Sequence, residues 1–243
     1  MPLDLNGNKL YNTSIGPKSE IQKYITTDGL TMHFDAGNKN SYSGTGTTIN
    51  DLTSYGYNGT FTNGPTYSNG YIAFDGTDDY VTMGTAMDFA TYTSGFTIDL
   101  WTYPTAATFS SLFSSAWGTS GTQWQVYVWY NTSSQFGSTQ RYSGNQNDFN
   151  TTNVFPVNNW YNVVVTSNNT TCYIYVNGTS QVSNGTGQIN NQDASREVRL
   201  GNFKNYSAAQ YNGRIASCRV YNRALNSNEI TQNYNIQKSR FGL

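Results

Sequence analysis

The chain has 243 residues, a net charge of −1, 15% aromatic residues and only 11% charged ones. That length suits one β sandwich, and without clustered Lys and Arg there is no electrostatic footprint for nucleic acid. No apolar run approaches the roughly 20 residues a membrane helix needs, and the surface vocabulary is Asn, Thr, Ser, Gly and 20 tyrosines, residues of strands and turns rather than helices.

Residues 1–28 differ in pattern from the rest of the chain. They carry a Gly16-Pro17 break and one helical turn's worth of pattern around Ser19–Tyr24. They read either as an N-terminal arm or as an added edge strand. The start, MPLDLNGNKL, has neither the basic opening nor the apolar centre of a signal peptide, so synthesis in a cytoplasm without a leader is expected. The sandwich is expected over 29–237, with 238–243 as a tail. Leu30, Met32 and Phe34 alternate with Thr31, His33 and Asp35, the period of a strand. A polar stretch covers 37–48. Three short strands between Gly turns are expected in 54–83, which includes FDGTDDYV at 74–81, and GFTIDLWTYP at 95–104 is a further strand. In the middle, FSSLFSSAWG, QWQVYVWY and SSQFGSTQRYSG read as strands and NQNDFNTTN, 145–153, as a loop.

The last third is the most legible. NNWYNVVVTSNNTTCYIYVNGT, 158–179, is a strand opened by a Trp, a turn at Asn168-Asn169 and a second strand closed by Asn177-Gly178, a pair that tolerates the positive φ angles of a tight hairpin. Cys172, Ile174 and Val176 share one face, opposite Tyr173 and Tyr175. VRLGN comes next, at 198–202. In 215–221, Ala216, Cys218 and Val220 oppose Ser217, Arg219 and Tyr221, and this strand runs into a short helix. Asn226 can cap that helix and Glu229, three residues on, can bond back to the cap. The two cysteines are read as small buried side chains or as a disulfide between neighbouring strands. A single histidine and no Cys pair leave no zinc set. Asn-x-Ser/Thr triplets at Asn58, Asn131, Asn169 and Asn177 are incidental in so Asn- and Thr-rich a chain.

The order of these signals over 29–235 resembles the laminin G-like members of the concanavalin A-like lectin/glucanase superfamily. The resemblance implies an all-β, two-sheet antiparallel jelly roll with one short C-terminal helix, near 226–235. It also implies a protein that binds sugars or other proteins more often than it performs chemistry. Members of the superfamily that cleave glucans carry Glu-x-Asp-x-x-Glu on one strand, and retaining hydrolysis needs two carboxyls about 5 Å apart. The corresponding strand, TIDLWTYP, has Asp99 without a flanking Glu, and the glutamates of the whole chain are Glu20, Glu197 and Glu229. His33, lying in a strand, completes no Ser-His-Asp set. A non-enzyme is expected.

Asp75, Asp78 and Asp79 are read in two ways. Hard oxygens this close suit calcium, which relatives often hold at a sheet rim, but Asp in a Gly-containing turn also bonds its own backbone and needs no cofactor. Asp99, Trp101 and Tyr103 on one strand, and Gln125, Tyr127 and Trp129 on another, mix aromatic plates with hydrogen-bonding groups, which suits a sugar. They suit equally an aromatic layer packed under a loop or against another subunit. The ending ITQNYNIQKSRFGL resembles the C-termini of laminin G-like proteins encoded by phages. The expectation is a virion decoration or structural protein of a capsid, tail or fibre. Its expected partners are other virion proteins, a homo-oligomer or lattice, and a host surface glycan, with no nucleic acid and no membrane insertion. The alternative is a carbohydrate-binding module of a bacterial surface or secreted protein.

Overall fold

A computed structural model describes residues 24–84, 87–117, 124–142, 145–184, 196–204 and 208–243. Residues 1–23, which include most of the expected arm and the helical pattern from Ser19, lie outside them. Among the described residues sixteen strands occur in chain order: β1 Leu30–Asp35, β2 Thr48–Ile49, β3 Gly59–Thr62, β4 Thr66–Ser68, β5 Tyr71–Asp75, β6 Tyr80–Thr82, β7 Phe96–Pro104, β8 Ser110–Trp117, β9 Trp124–Tyr130, β10 Phe136–Tyr142, β11 Asn145–Asn150, β12 Tyr161–Ser167, β13 Cys172–Val176, β14 Thr179–Asn184, β15 Arg196–Leu200 and β16 Asn212–Tyr221. One α-helix, α1, spans Ser227–Gln237, and a 3-10 turn, Lys238–Phe241, continues it.

The strands form two antiparallel eight-stranded sheets. The first runs β14-β13-β12-β7-β16-β5-β4, with β1 also pairing β16, and the second runs β11-β10-β9-β8-β15-β6-β3-β2. This is the expected two-sheet jelly roll. Inward residues of both sheets, among them Phe34, Phe74, Ile98, Leu100, Phe113, Val128, Val165, Ile174 and Val198, make one continuous core. β5 belongs to the first sheet and β6 to the second, so the turn between them, which carries the aspartates, crosses the rim of the sandwich.

Local signals explain the elements. Asn177 and Gly178 adopt φ 52° and 74°, the left-handed pair that joins β13 to β14 in the tight hairpin. Asn226 accepts from the backbone N–H groups of Asn228 and Glu229 while Glu229 accepts from the Asn226 N–H, a complete capping box. Cys172 and Cys218 both lie in the core with free thiols. Two expectations are corrected. The segment 145–150 is not a loop: it forms β11 against β10, with Phe149 turned into the core. Its polar composition suits an exposed edge, where charge and amide side chains discourage further pairing. The stretch 54–83 holds four strands rather than three, because Gly64-Pro65 and Asn69-Gly70 each turn the chain.

Candidate functional site

The outer face of the first sheet divides into a covered half and an open half. In the covered half, Asp99 of β7 pairs with Arg219 of β16, Nη2 to Oδ2 at 3.1 Å, with both side chains fully buried. Asn162 of β12 donates to Asp99 Oδ1 at 2.7 Å and Asn233 of α1 donates to the Tyr221 hydroxyl at 3.0 Å. Arg219 also donates to Gln237 Oε1 at 2.6 Å. Burial works against the charge of Arg219, but Asp99 beside it, with Tyr221 and Asp35, offsets that and raises its pKa. His33 of β1 lies opposite Arg219 in the ladder. Burial, then Arg219 and Arg240, lower its pKa to about 3, so it is neutral at physiological pH. Residues 24–26 are tied to the same layer: Thr26 N–H donates to Asn233 and Gln232 donates to the Tyr24 carbonyl.

Asp99 and Trp101 therefore do not present a recognition face to solvent. α1 and the turn after it lie over them, and the Trp101 ring stacks on Phe241 at 4.0 Å and on Tyr234 at 5.8 Å. Of the two readings open at these positions, packing beneath another segment is the one the fold adopts. On the second sheet Tyr127 and Trp129 share the outer face but are 6% and 7% exposed. Phe109 packs on both rings and Phe203 on Tyr127. Trp129 Nε1 donates to Thr139 at 2.9 Å, and its ring lies flat over Gly137, where a Cβ would run into it. The side chain of Gln125 lies outside the described residues.

Tyr103 is the exception. It is half-buried at the open end of β7, where it meets residues that the sequence pattern does not group with it. Trp160, just before β12, lies 5.4 Å from Tyr103 and 5.9 Å from Tyr71 of β5, ring centre to ring centre. Arg214 of β16 stands opposite Tyr103 in the ladder, its guanidinium 4.6 Å from the Tyr103 ring and 4.8 Å from the Tyr71 ring. All four side chains are partly exposed. Phe241, 4.8 Å from Trp160, marks the border with the covered half. The sequence signal for this grouping is the outward parity of Tyr103, which continues onto Trp160 and Arg214 once the β12-β7-β16 register is known.

At the rim, Asp75, Asp78 and Asp79 each bring a carboxylate oxygen within 4.8 Å of the others. Asp75 Oδ1 accepts from the Thr77 N–H at 2.7 Å, and the buried Asp79 accepts from the Asp75 N–H at 3.0 Å. Burial raises the Asp79 pKa. Turn hydrogen bonding is thus realised, and the same three carboxylates are the ones that would hold a hard cation such as calcium. Glu197 is held by Arg199 at 2.7 Å and Lys204 at 3.1 Å, and Glu229 by Arg223 at 2.6 Å.

No curated protein sequence matches the chain. Among solved structures the chain is similar to the Trypanosoma rangeli sialidase in complex with sialic acid, at TM-score 0.67 and 17% identity over 89% of this chain and 34% of that one. It is also similar to domain 4 of AbnA, a GH43 extracellular arabinanase from Geobacillus stearothermophilus, in complex with arabinotriose, at 0.63 and 19% over 84% and 98%. A third is the botulinum neurotoxin type G receptor binding domain, at 0.63 and 14% over 86% and 52%. The chain spans about a third of the length of the sialidase. These likenesses show the fold. The family described as the concanavalin A-like lectin/glucanases superfamily, a laminin G type, matches residues 75–231. With more than half of its length matched, this chain belongs to the concanavalin A-like lectin/glucanases superfamily.

Proposed function

We propose that this protein is a non-catalytic saccharide-binding domain whose contact surface is the aromatic group Tyr71, Tyr103 and Trp160. The observation that carries the reading is the partial exposure of three rings from separate strands and a loop, with Trp160 5.4 Å from Tyr103 and 5.9 Å from Tyr71. Such plates stack on the apolar C–H faces of sugars, and nearby exposed amides, here Asn158 and Asn159, meet hydroxyls. The arabinanase domain, similar in fold, is in complex with arabinotriose, which makes a neutral trisaccharide the first probe. Absence of catalysis is supported by the engagement of the carboxylates: Asp99 with Arg219, Glu197 with Arg199 and Lys204, and Glu229 with Arg223. Calorimetry with immobilised-glycan screening should find saccharide binding that Trp160→Ala abolishes with the melting temperature retained. Binding indifferent to Trp160→Ala and Tyr103→Ala would remove the reading.

A second reading keeps the fold and changes the partner. As a virion decoration protein the chain would contact other virion proteins or copies of itself. The observation favouring it is that β11 and β14 end the two sheets among the described residues, and the end of a sheet is where a further strand can add. Light scattering of the purified full-length chain decides: a monomer at all concentrations, incorporated into no particle, argues against it, and a loss of assembly on deleting residues 1–23 supports it.

A further inference from the structure

We propose that Arg214 makes the aromatic platform selective for acidic saccharides, with the carboxylate of a sugar acid bound in plane by its guanidinium. This rests on the saccharide reading above and specifies its ligand.

Four arginines of the described residues hold a carboxylate: Arg199 with Glu197, Arg219 with Asp99, Arg223 with Glu229 and Arg240 with Asp35. Arg214 does not. Its guanidinium has no carboxylate within 4.0 Å and no hydrogen-bond partner among the described residues. Asp75, two positions along the neighbouring strand from the residue facing Arg214, turns instead to the Thr77 N–H. What Arg214 does touch is aromatic, with Tyr71 at 4.8 Å and Tyr103 at 4.6 Å. Rings near a guanidinium satisfy its faces, by cation–π attraction and stacking, and fix its plane. They leave the N–H edge unfilled. A planar fork of donors, half-withdrawn from water and held in orientation, matches a carboxylate in bidentate geometry. Trp160 next to Tyr103 supplies the flat plate for a sugar ring joined to that carboxylate. The occupant that satisfies both halves is a sugar acid within an oligosaccharide, and the platform's own charge supplies the complementarity.

Calorimetric titration of the full-length chain with trigalacturonate and with neutral galactotriose tests this. The charged trisaccharide should bind about tenfold more tightly, since a hydrogen bond between charged partners is worth more than a neutral one. Arg214→Gln should remove the difference between the two trisaccharides, and Arg214→Lys should restore part of it because charge returns without the fork. Trp160→Ala should weaken both ligands. Equal affinities in the native protein, or a preference that survives Arg214→Gln, overturn the assignment and leave the saccharide reading standing. Binding of neither trisaccharide, nor of arabinotriose, takes down both.

Discussion

His33 is the chain's one histidine, which makes its burial measurable as a pH dependence. The ordinary imidazole pKa is about 6.5; in the fold, burial and then the charges of Arg219 and Arg240 lower it to about 3. Between those two values the unfolded chain binds a proton that the folded chain refuses, so stability is full above the ordinary value and falls as the pH drops toward the folded one. From pH 7 to pH 5 the loss from this one group is about 2 kcal/mol, approaching about 1.4 kcal/mol per pH unit at the acid end. Glu197 and Glu229, both held below the usual carboxylate range by their arginine partners despite burial, also lose stability on acidification but mainly below this window. Asp79, raised by burial, acts in the opposite sense. Those contributions are common to the native protein and a His33→Gln variant and cancel in the difference. Urea titrations of both proteins at half-unit steps from pH 7 to pH 5 should show the native midpoint falling and the variant's nearly level, whatever the variant's own cost at pH 7. Parallel slopes, or an imidazole that titrates near its ordinary value by NMR in the folded protein, would refute the neutral buried state.

The Asp99–Arg219 pair should behave as a buried ion pair. Arg219→Met alone should cost about 3–5 kcal/mol by leaving a buried carboxylate unpaired, and adding Asp99→Leu should recover much of it in the same urea assay. Phe241→Ala should expose Trp101, red-shifting tryptophan emission and admitting acrylamide, at a cost of about 1 kcal/mol from the lost ring contact alone. Because turn hydrogen bonds already hold Asp75 and Asp79, EDTA should leave the melting temperature unchanged; a large fall restored by calcium would make the cluster a metal site, since an ion bound only to the native state stabilises by mass action. Burial raises the pKa of both thiols, so a thiol reagent should label Cys172 and Cys218 only in denaturant.

What was legible in the sequence was local. The Asn177-Gly178 hairpin, the Asn226/Glu229 capping box and the alternation of Cys172, Ile174 and Val176 each depend on a few adjacent residues whose backbone or face preferences are strong. What was not legible depended on partners distant in the chain. Asp99 and Trp101 look like an exposed face because they alternate with an inward one, yet a second layer covers them. The helix that forms the cover has no apolar stripe to announce it: its fully buried residues are Ile230 and Asn233, and it meets the sheet through the amides of Asn233 and Gln237 as well as through Ile230 and the Tyr234 ring. β11 reads as a loop because its strand character comes from the ladder with β10 rather than from its own side chains. The grouping of Trp160, Tyr103, Arg214 and Tyr71 requires a register across four strands, one of which, β5, is joined to the platform only through β16.

The position of β16 has a consequence for biosynthesis. It follows every other strand of its sheet in the sequence, yet it lies between β7 on one side and β1 and β5 on the other, and among the described residues β1 pairs with no other strand. A nascent chain that has emerged only through residue 210 can assemble β12, β13 and β14 around β7, but β1 and the β4–β5 hairpin have no strand to join. Closure of the first sheet is therefore deferred until β16 has been made, and pairings so remote in sequence form slowly. Ribosome-stalled chains ending before residue 212 should stay protease-sensitive through the β1–β5 region, and resistance there should arise only once β16 is clear of the exit tunnel.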